Sequence, residues 1–530
     1  MRTGPDGTRG ARRRTGALLA AALAGGLLVT GCSATGTGGS SADRKAGGAH
    51  GPAASAAPDE SGRNGGEDDE GDEGDKDGGK EGPSDYRSTF ALDVDTASYG
   101  YARRTLADGR LPDAGSVRPE EFVNSFRQGY PRPTGNGFSV TVDGARTGSG
   151  GWHLMRVGLA TAQAPADGER APVTLTFVVD VSGSMGQPGR LDLVRGALSQ
   201  LTDRLRADDS IALVTFSGEA RTVLPMTRLG IRGGPVREDV QDAVDTLEAT
   251  DSTNLEAGVT TGYATAVKGA RPGATNRVVL LSDALANTGE TDADAILDRI
   301  SDARREHGIT LFGVGVGSDY GDQLMERLAD KGDGHTSYVS SEAEARKVFT
   351  EQLPANIELR ARDAKAQVAF DEDTVADFRL LGYEDRRVAD EDFRDDGVDG
   401  GEIGPGHTVT ALYAVKLRAG AESGRVAKAT VRWLDPESRK PREASGDVAV
   451  SALGGDLWSK ETPSRLRVDA VAAYFAHRLS EGGNEPYPGE PGLPELSRRA
   501  EGLTSVTEDP DVTELADAVR SASRLRPYDD

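Results

Sequence analysis

Short apolar runs alternate with helical patterns between residues 168 and 353. Runs typical of buried strands cover residues 174–179, 211–216, 221–224, 277–281 and 309–314. Between them, apolar residues recur at spacings of three and four, as on one face of a helix. These positions are Leu191, Val194, Leu198, Leu201 and Leu205; Val236, Val240, Val244 and Leu247; Ala293, Ile296 and Ile300; and Ala345, Val348, Phe349 and Leu353. The alternation predicts a doubly wound α/β fold with a mainly parallel sheet covered by helices on both faces.

The segments on either side of this unit show a different period. Short alternating runs typical of strands cover residues 138–142, 154–159, 367–370, 409–417, 427–433 and 447–451. Helical patterns follow, one from Ser464, the expected N-cap, and one through Leu515 and Val519. Residues 85–165 offer few strands and too little apolar surface for a core of their own. Residues 355–455 have several strands but need their sheet edges covered. We therefore predict one β-rich domain built from residues 85–167 and 354–455, with the α/β unit (168–353) inserted and a helical segment at 456–530.

The first residues have the pattern of an export signal. Three arginines at positions 12–14 precede an apolar stretch at 17–29, which is too short to cross a bilayer stably and ends in small residues. The sequence V-T-G-C ends at Cys32, the single cysteine of the chain. This resembles a bacterial lipobox, which implies a signal peptide at 1–31 and a diacylated Cys32. The alternative is an ordinary signal peptide with an incidental cysteine.

The composition and charge of the chain limit where the protein can be located and which partners it can bind. Residues 32–84 are mostly Gly, Ser, Ala and acidic residues, which cannot form a core, so we expect a disordered tether. The formal net charge of −24, without a basic stripe, argues against nucleic-acid binding. Together with the lipobox, these features predict an exported protein held by its lipid on the outer face of a bacterial cell membrane.

Three polar clusters fall where predicted strands end or a helix begins. The first cluster, Asp180, Ser182 and Ser184, follows the first strand. The second, Ser252, Thr253 and Asn254, lies at the start of a helix, and the third, Ser282 and Asp283, lies at the end of the strand at 277–281. Ligands of such sheets bind at the carboxyl ends of the strands. Carboxylates and hydroxyls are hard oxygen donors that suit Mg²⁺, and Mn²⁺ would also fit. Because hydroxyls are neutral, a bound ion would keep residual positive charge and would attract a carboxylate from a partner.

Five of these positions resemble a known motif. The metal-ion-dependent adhesion site of the von Willebrand factor A (VWA) family reads D-x-S-x-S, then a Thr, then an Asp. The resemblance implies a Rossmann-like VWA domain, with Asp180, Ser182, Ser184, Thr253 and Asp283 as metal ligands. Ala284 departs from the family, since many members have Gly there.

The flanks carry a second resemblance. The segment at 90–126, which begins FALDVDTASYGYARR, is similar to the N-terminal segment of a group of bacterial VWA proteins. FRLLGYEDR at 378–386 and GEIGPGHTVTALYAV at 401–415 are similar to the C-terminal region of that group. The resemblance thus covers most of the chain beyond the tether.

A second polar group lies in the N-terminal flank. Asp93, Asp95, Thr96 and Ser98 could also be read as metal ligands, but their spacing does not match D-x-S-x-S. Such residues are common at turns and helix ends, so we expect turn or capping roles.

Three functions are compatible with these features. The leading interpretation is a surface lipoprotein that binds an unidentified protein partner through Mg²⁺ and a partner carboxylate. The second is a scaffold whose metal is purely structural. The third, a hydrolytic enzyme, is disfavoured because the sequence offers no recognisable nucleophile and base constellation.

Overall fold

The computed structural model describes residues 85–526, except for 149, 164–169, 251, 284–288, 290–291, 318–321, 331–333, 354–357, 437 and 481–485. The predicted signal peptide, Cys32 and the predicted tether lie outside the described residues, as does Ala284.

The described chain folds into β-strands and helices in the following order. The strands are β1 (Arg87–Ala91), β2 (Phe138–Arg146), β3 (Trp152–Thr161), β4 (Val173–Asp180), β5 (Ser210–Phe216), β6 (Ala220–Arg228), β7 (Thr275–Ser282), β8 (Thr310–Val316), β9 (His335–Val339), β10 (Ala361–Phe370), β11 (Val375–Leu381), β12 (Gly401–Ile403), β13 (Thr408–Leu417), β14 (Arg425–Leu434) and β15 (Pro441–Ala449). The helices are α1 (Ala97–Ala107), α2 (Pro119–Asn124), α3 (Leu191–Arg204), α4 (Pro235–Asp245), α5 (Leu255–Gly269), α6 (Ala293–His307), α7 (Asp322–Asp330), α8 (Glu342–Lys347), α9 (Ser464–Leu479), α10 (Leu493–Thr507) and α11 (Pro510–Leu525).

The inserted unit contains a six-stranded sheet in the order β6-β5-β4-β7-β8-β9. All neighbouring strands are parallel except β6, which runs antiparallel to β5. Successive residues of β4 point to opposite faces, as a strand requires. Phe177 and Val179 pack in one core with α3, α4 and α8, while Val178 packs in another with α5, α6 and α7. The predicted doubly wound α/β arrangement is confirmed.

The flanking segments form two antiparallel sheets. One has the order β1-β10-β14-β15, with β12 also paired to β10, and the other has the order β11-β13-β3-β2. Strands from before and after the inserted unit pair directly, for example Phe90 with Ala366 and Val157 with Ala411. The two sheets share one apolar core. The fold class predicted from the sequence, a VWA-like unit within β-rich flanks, is therefore confirmed, whereas the exact domain boundaries stay a prediction.

Helices cover the other face of the second sheet. Met155 of β3 faces the core between the sheets, whereas its neighbour Leu154 packs against α1, α2, α9, α10 and α11. Helix α9 is buried along most of its length, with Phe475 fully enclosed. Among the helices described here, none has the length and hydropathy needed to cross a membrane.

Several elements were not predicted. Strands β1, β9 and β12 have five residues or fewer, too few to show a period. Strand β11 and helices α1, α2, α7 and α10 were missed as well, although α10 buries Leu493, Leu496, Ala500 and Leu503 at helical spacing. Strand β15 covers Pro441–Ala449, whereas the sequence pattern placed a strand at 447–451, so the predicted strand overlaps only the end of the observed one. Helix α9 begins at Ser464 itself, with Pro463 in the capping position and no side-chain cap, so the prediction of Ser464 as N-cap was wrong by one residue.

Candidate metal site at the edge of the central sheet

The predicted ligands lie where the chain changes direction in the sheet. Strand β4 is central, β5 extends the sheet on one side, and β7 extends it on the other. Asp180 is the last residue of β4, and Asp283 immediately follows β7. Adjacent parallel strands whose connections leave in opposite directions create a crevice at their carboxyl ends. Both carboxylates line this crevice, and both side chains are fully buried.

Asp180 is held by the residues next to it. Its Oδ1 accepts a hydrogen bond from the backbone N–H of Ser182 (2.8 Å), and its Oδ2 accepts one from the Ser282 hydroxyl (2.5 Å). Ser182 and Ser184 bring their hydroxyl oxygens within 3.1 Å of each other. Ser184 is only half-buried, so this side of the site is open to solvent. Three of the five predicted ligands are thus linked through direct contacts.

Asp283 carries a buried ion pair. Arg190, the residue before α3, places Nη1 2.7 Å from Asp283 Oδ2 and also donates to the backbone oxygen of Ser184 (3.1 Å). The Arg190 side chain is almost completely enclosed. A desolvated guanidinium is a strong partner for a carboxylate. Arg190 therefore fixes Asp283 and ties it to the loop that carries the serines.

Thr253 belongs to a loop pinned at the same edge. The backbone N–H of Thr250 donates to Val181, and that of Asn254 donates to Ser217, both at 2.6 Å. The Asn254 side chain accepts from the Ala257 N–H and caps α5. Because Val181 and Ser217 directly follow β4 and β5, these bonds hold the buried Thr253 at the carboxyl edge.

The donor set fits a hard divalent cation. It offers carboxylate and hydroxyl oxygens, the ligands that Mg²⁺ prefers. Burial raises the pKa of Asp180 to about 6, and the nearby Asp283 charge adds to the rise, although hydrogen bonds from Ser282 and Ser182 oppose it. The charged form of Asp180 is therefore destabilised in the chain alone. A cation between the two carboxylates would relieve this cost.

Sequence reasoning missed Arg190, and it placed Ser282 in the third polar cluster without giving it a role. Ser282 lies beside a predicted ligand, but nothing in its position shows that it donates to Asp180. Arg190 stands ten residues after Asp180, and one arginine before a helix carries no signal of its own. Only the folded arrangement of β4, β7 and α3 reveals these contacts.

The residues of the second polar group, Asp93, Asp95, Thr96 and Ser98, have different contacts. Asp93 accepts from the backbone N–H of Asp95 (3.0 Å), a local turn contact. The Ser98 hydroxyl donates to the Ser116 carbonyl (2.7 Å), and Thr96 precedes α1 without a side-chain cap. Asp95 instead reaches the inserted unit, where it accepts from the backbone N–H of Thr336 in β9 (3.0 Å).

Comparisons with known proteins agree with this architecture. The family model of the von Willebrand factor type A domain matches residues 174–351. A model described as "Uncharacterized protein YfbK, C-terminal" matches residues 356–482, and one described as "von Willebrand factor" matches residues 70–152. The protein "Uncharacterized protein YfbK" of Escherichia coli (strain K12) is 34% identical over 412 residues, which are 73% of this chain and 70% of that protein.

The chain belongs to the YfbK family. The predicted resemblance to bacterial VWA proteins with flanking segments is thereby confirmed. The chain also matches part of "Uncharacterized protein sll0103" of Synechocystis, with 29% identity over 37% of this chain and 44% of that protein. A solved structure, "von Willebrand factor type A from Catenulispora acidiphila", is 16% identical and covers 74% of this chain and 91% of its own, with a TM-score of 0.45.

Proposed function

We propose that this YfbK-family protein is a binding module that captures a protein partner through a Mg²⁺ ion held by Asp180, Ser182, Ser184, Thr253 and Asp283. The observation that carries the proposal is the pair of buried carboxylates at the ends of β4 and β7, flanked by hydroxyls and open to solvent at Ser184. Membership of a VWA family implies an interaction or adhesion scaffold, and the site supplies a chemical reason for binding.

The charges of the site explain why a partner would bind. Mg²⁺, or Mn²⁺, would supply a divalent charge that neutral hydroxyls do not offset. Arg190 already balances part of the Asp283 charge, so the loaded site would keep a net positive potential. A partner Asp or Glu carboxylate is the group that such a site attracts. Ser182 and Ser184 would hold the ion on the side that is open to solvent, and the ion pair with Arg190 would keep Asp283 in place.

Two alternative functions, a scaffold and a hydrolytic enzyme, can be distinguished from a binding module. A scaffold with a purely structural metal would need the ion for stability and not for capture. A hydrolytic enzyme would need a nucleophile with a general base free to take its proton, whereas Asp180, the carboxylate that accepts from Ser182 and Ser282, would be engaged by the metal. We therefore assign binding, and no catalysis, to this site.

Metal-dependent capture tests the proposal. The purified protein is immobilised, exposed to surface extract of the same bacterium with Mg²⁺ or with EDTA, and the captured proteins are identified by mass spectrometry. We expect one partner that is retained with Mg²⁺, lost with EDTA and lost with Asp180→Ala. Asp203→Ala, which removes an exposed carboxylate of α3, should retain it. Retention despite EDTA would assign binding to the β-rich flanks.

The anchor is a separate proposal. We infer from the V-T-G-C sequence that the chain is exported and that Cys32 carries the lipid which holds it at the membrane. One diacyl group gives two chains, which is enough for stable anchoring. Radiolabelled fatty acid should enter the wild type and not Cys32→Ser. Equal labelling of both proteins would remove Cys32 as the anchor.

A further inference from the structure

Three buried side chains meet where the N-terminal flank contacts β9. Asp93 and Asp95 precede α1, and His335 is the first residue of β9. Each can offer one ligand atom, and these atoms all lie within 4.8 Å of one another. The side chains are 4%, 1% and 6% exposed, so water does not screen their charges. The cluster lies at the start of β9, whereas the site at Asp180 lies at the ends of β4 and β7.

The hydrogen bond of His335 determines its tautomer. Nε2 lies 2.8 Å from the main-chain oxygen of Glu402. A carbonyl can only accept, so Nε2 carries the proton and Nδ1 of the neutral ring is a lone pair. Nδ1 has no hydrogen-bond partner and lies 3.2 Å from Oδ1 of Asp95. Two acceptors that face each other in a buried place repel unless a cation lies between them.

The surroundings are those of a metal-binding histidine. Such a ring commonly donates its other N–H to a main-chain carbonyl, as His335 does to Glu402. The carboxylates are also oriented: Thr336 N–H donates to Asp95 Oδ1, and Asp95 N–H donates to Asp93 Oδ1, both at 3.0 Å. The 3.2 Å between Nδ1 and Oδ1 is close to the edge of a tetrahedron around Zn²⁺, roughly 3.3 Å for bonds of about 2 Å.

Arg386 is the competing explanation. Its Nη2 lies 3.5 Å from Asp93 Oδ1 and 3.6 Å from Asp95 Oδ2. One guanidinium balances one of the two carboxylate charges and leaves the lone pair of His335 facing Asp95. Arg386 therefore reduces the need for a cation without removing it.

We propose that Asp93, Asp95 and His335 bind a first-row divalent cation, with Zn²⁺ as the best fit. An imidazole ligand favours Zn²⁺, Fe²⁺ or Ni²⁺ over Mg²⁺ and Mn²⁺, which separates this site from the oxygen-only site at Asp180. The ion fastens the segment before α1 to β9 of the inserted unit. Its role is structural, because the ligands are buried.

The test uses the full chain with Asp180→Ala, so that the Mg²⁺ site does not contribute. The protein is loaded with equimolar Zn²⁺, passed through gel filtration, and its metal content is measured by mass spectrometry. We expect about one Zn²⁺ per chain, and Co²⁺ in its place should give a visible d–d absorption band. Adding His335→Gln keeps a donor for Glu402 but removes the Nδ1 ligand, so affinity should fall at least about 100-fold.

Two comparisons keep the test decisive. His153→Gln, at a buried histidine in β3, should bind Zn²⁺ as before. Arg386→Gln should bind Zn²⁺ several-fold more tightly, because the competing cation is gone. A folded Asp180→Ala protein that retains neither Zn²⁺ nor Co²⁺ would show that Arg386 alone neutralises the cluster. Equal Zn²⁺ binding by the His335→Gln protein would place the ion elsewhere.

Discussion

Arg190 strongly affects the charge balance of the proposed Mg²⁺ site. Its guanidinium is paired with Asp283 at 2.7 Å, and both side chains are buried. Removing one member of a buried ion pair leaves the other uncompensated, which costs about 3 to 5 kcal/mol. Without Arg190, Asp283 would lose this buried counter-charge, and a bound metal ion could supply it instead.

We therefore expect Arg190→Met to lower the thermal midpoint in EDTA and to show a larger rise with Mg²⁺ than the wild type. A ligand that binds only the folded state stabilises it in proportion to its occupancy. Thermal denaturation with and without Mg²⁺ measures both effects, and Arg204→Met at an exposed position of α3 is the control. If Mg²⁺ raises the midpoint equally in all three proteins, Asp283 does not contribute to ion binding.

For individual residues of the metal site, the sequence predicted their place in the fold better than their contacts with other residues. The spacing of Asp180, Ser182 and Ser184 after an apolar run was enough to place them at a strand end. The hydrogen bond from Ser282 and the ion pair with Arg190 depend on how distant segments meet, and spacing along the chain does not encode that. His335 was missed for the same reason, since its partners lie some 240 residues away.

Helix α5 connects the packing of the sheet with the site. Gly262 lies against β4 so closely that an added Cβ would be 2.3 Å from a methyl group of Val178. At Gly196, exposed on α3, an added Cβ meets nothing within 4 Å. Since the loop that holds Thr253 leads into α5, any displacement of this helix would reach the metal site.

We expect Gly262→Ala to destabilise the protein by about 1 to 3 kcal/mol and to weaken Mg²⁺ binding, because α5 must move away from β4. Gly196→Ala should stabilise it by roughly 0.5 to 1 kcal/mol and leave Mg²⁺ affinity unchanged. Urea denaturation and Mg²⁺ titration provide the two readouts. Unchanged stability and affinity in Gly262→Ala would contradict the close packing of α5 on β4.

The second sheet and α9 are joined by a buried ion pair. Arg156 of β3 lies 2.9 Å from Asp469 of α9 and also pairs with Asp143, while Gln128 donates to Asp469 at 2.6 Å. Burial raises the pKa of Asp469 to about 6, although Arg156 lowers it. An unfolded aspartate titrates near 3.9. The folded protein therefore holds this proton more tightly than the unfolded chain does.

It follows that the stability contributed by protonated Asp469 is present below about pH 4 and lost as the pH rises through 6. In Asp469→Asn this loss should be absent. The stability of the variant relative to wild type should increase by about 2 kcal/mol between pH 4 and pH 7. Denaturant titrations across this range test it, with the exposed Glu372→Gln as control. A constant difference between Asp469→Asn and wild type would contradict the raised pKa.

Periodicity determined which elements could be predicted. Long amphipathic helices such as α3, and strongly apolar strands such as β4 and β13, were found within a few residues of their observed bounds. Strand β1 has five residues and β12 has three, too few to show a period. Each is stabilised by pairing with β10, and this pairing cannot be predicted from the local sequence.

In the described part of the chain, buried polar contacts join the inserted unit to its flanks. Arg277 of β7 is fully buried and donates to Glu402 of β12 at 3.0 Å, and Arg362 of β10 reaches the same carboxylate at 3.2 Å. Helix α1 contributes Arg104, which donates to the backbone oxygen of Gly317 at 3.2 Å. The residues that surround Asp180, in contrast, all come from the inserted unit.

This division predicts how fragments behave. Residues 168–356 alone should fold and bind Mg²⁺. Residues 85–165 should be largely unfolded, because β1 loses β10 and β3 loses β13. They should gain structure when mixed with residues 355–530, as circular dichroism and NMR would show. Dispersed, cooperative spectra from isolated 85–165 would contradict a domain shared between both flanks.

The insertion itself was predictable from the order of patterns along the chain, since β-rich segments surround an α/β unit. The contacts at the junction were not, because Arg277 and Glu402 are separated by 125 positions and each reads locally as an ordinary charged residue.

Calorimetric titration of Mg²⁺ into the full chain tests the central claim most directly. The wild type and Asp203→Ala should each bind one Mg²⁺ with the same affinity, and Asp180→Ala should show no binding heat while its circular dichroism is unchanged. Titrations that are identical for the wild type and Asp180→Ala would contradict the assignment of this site as the Mg²⁺ centre.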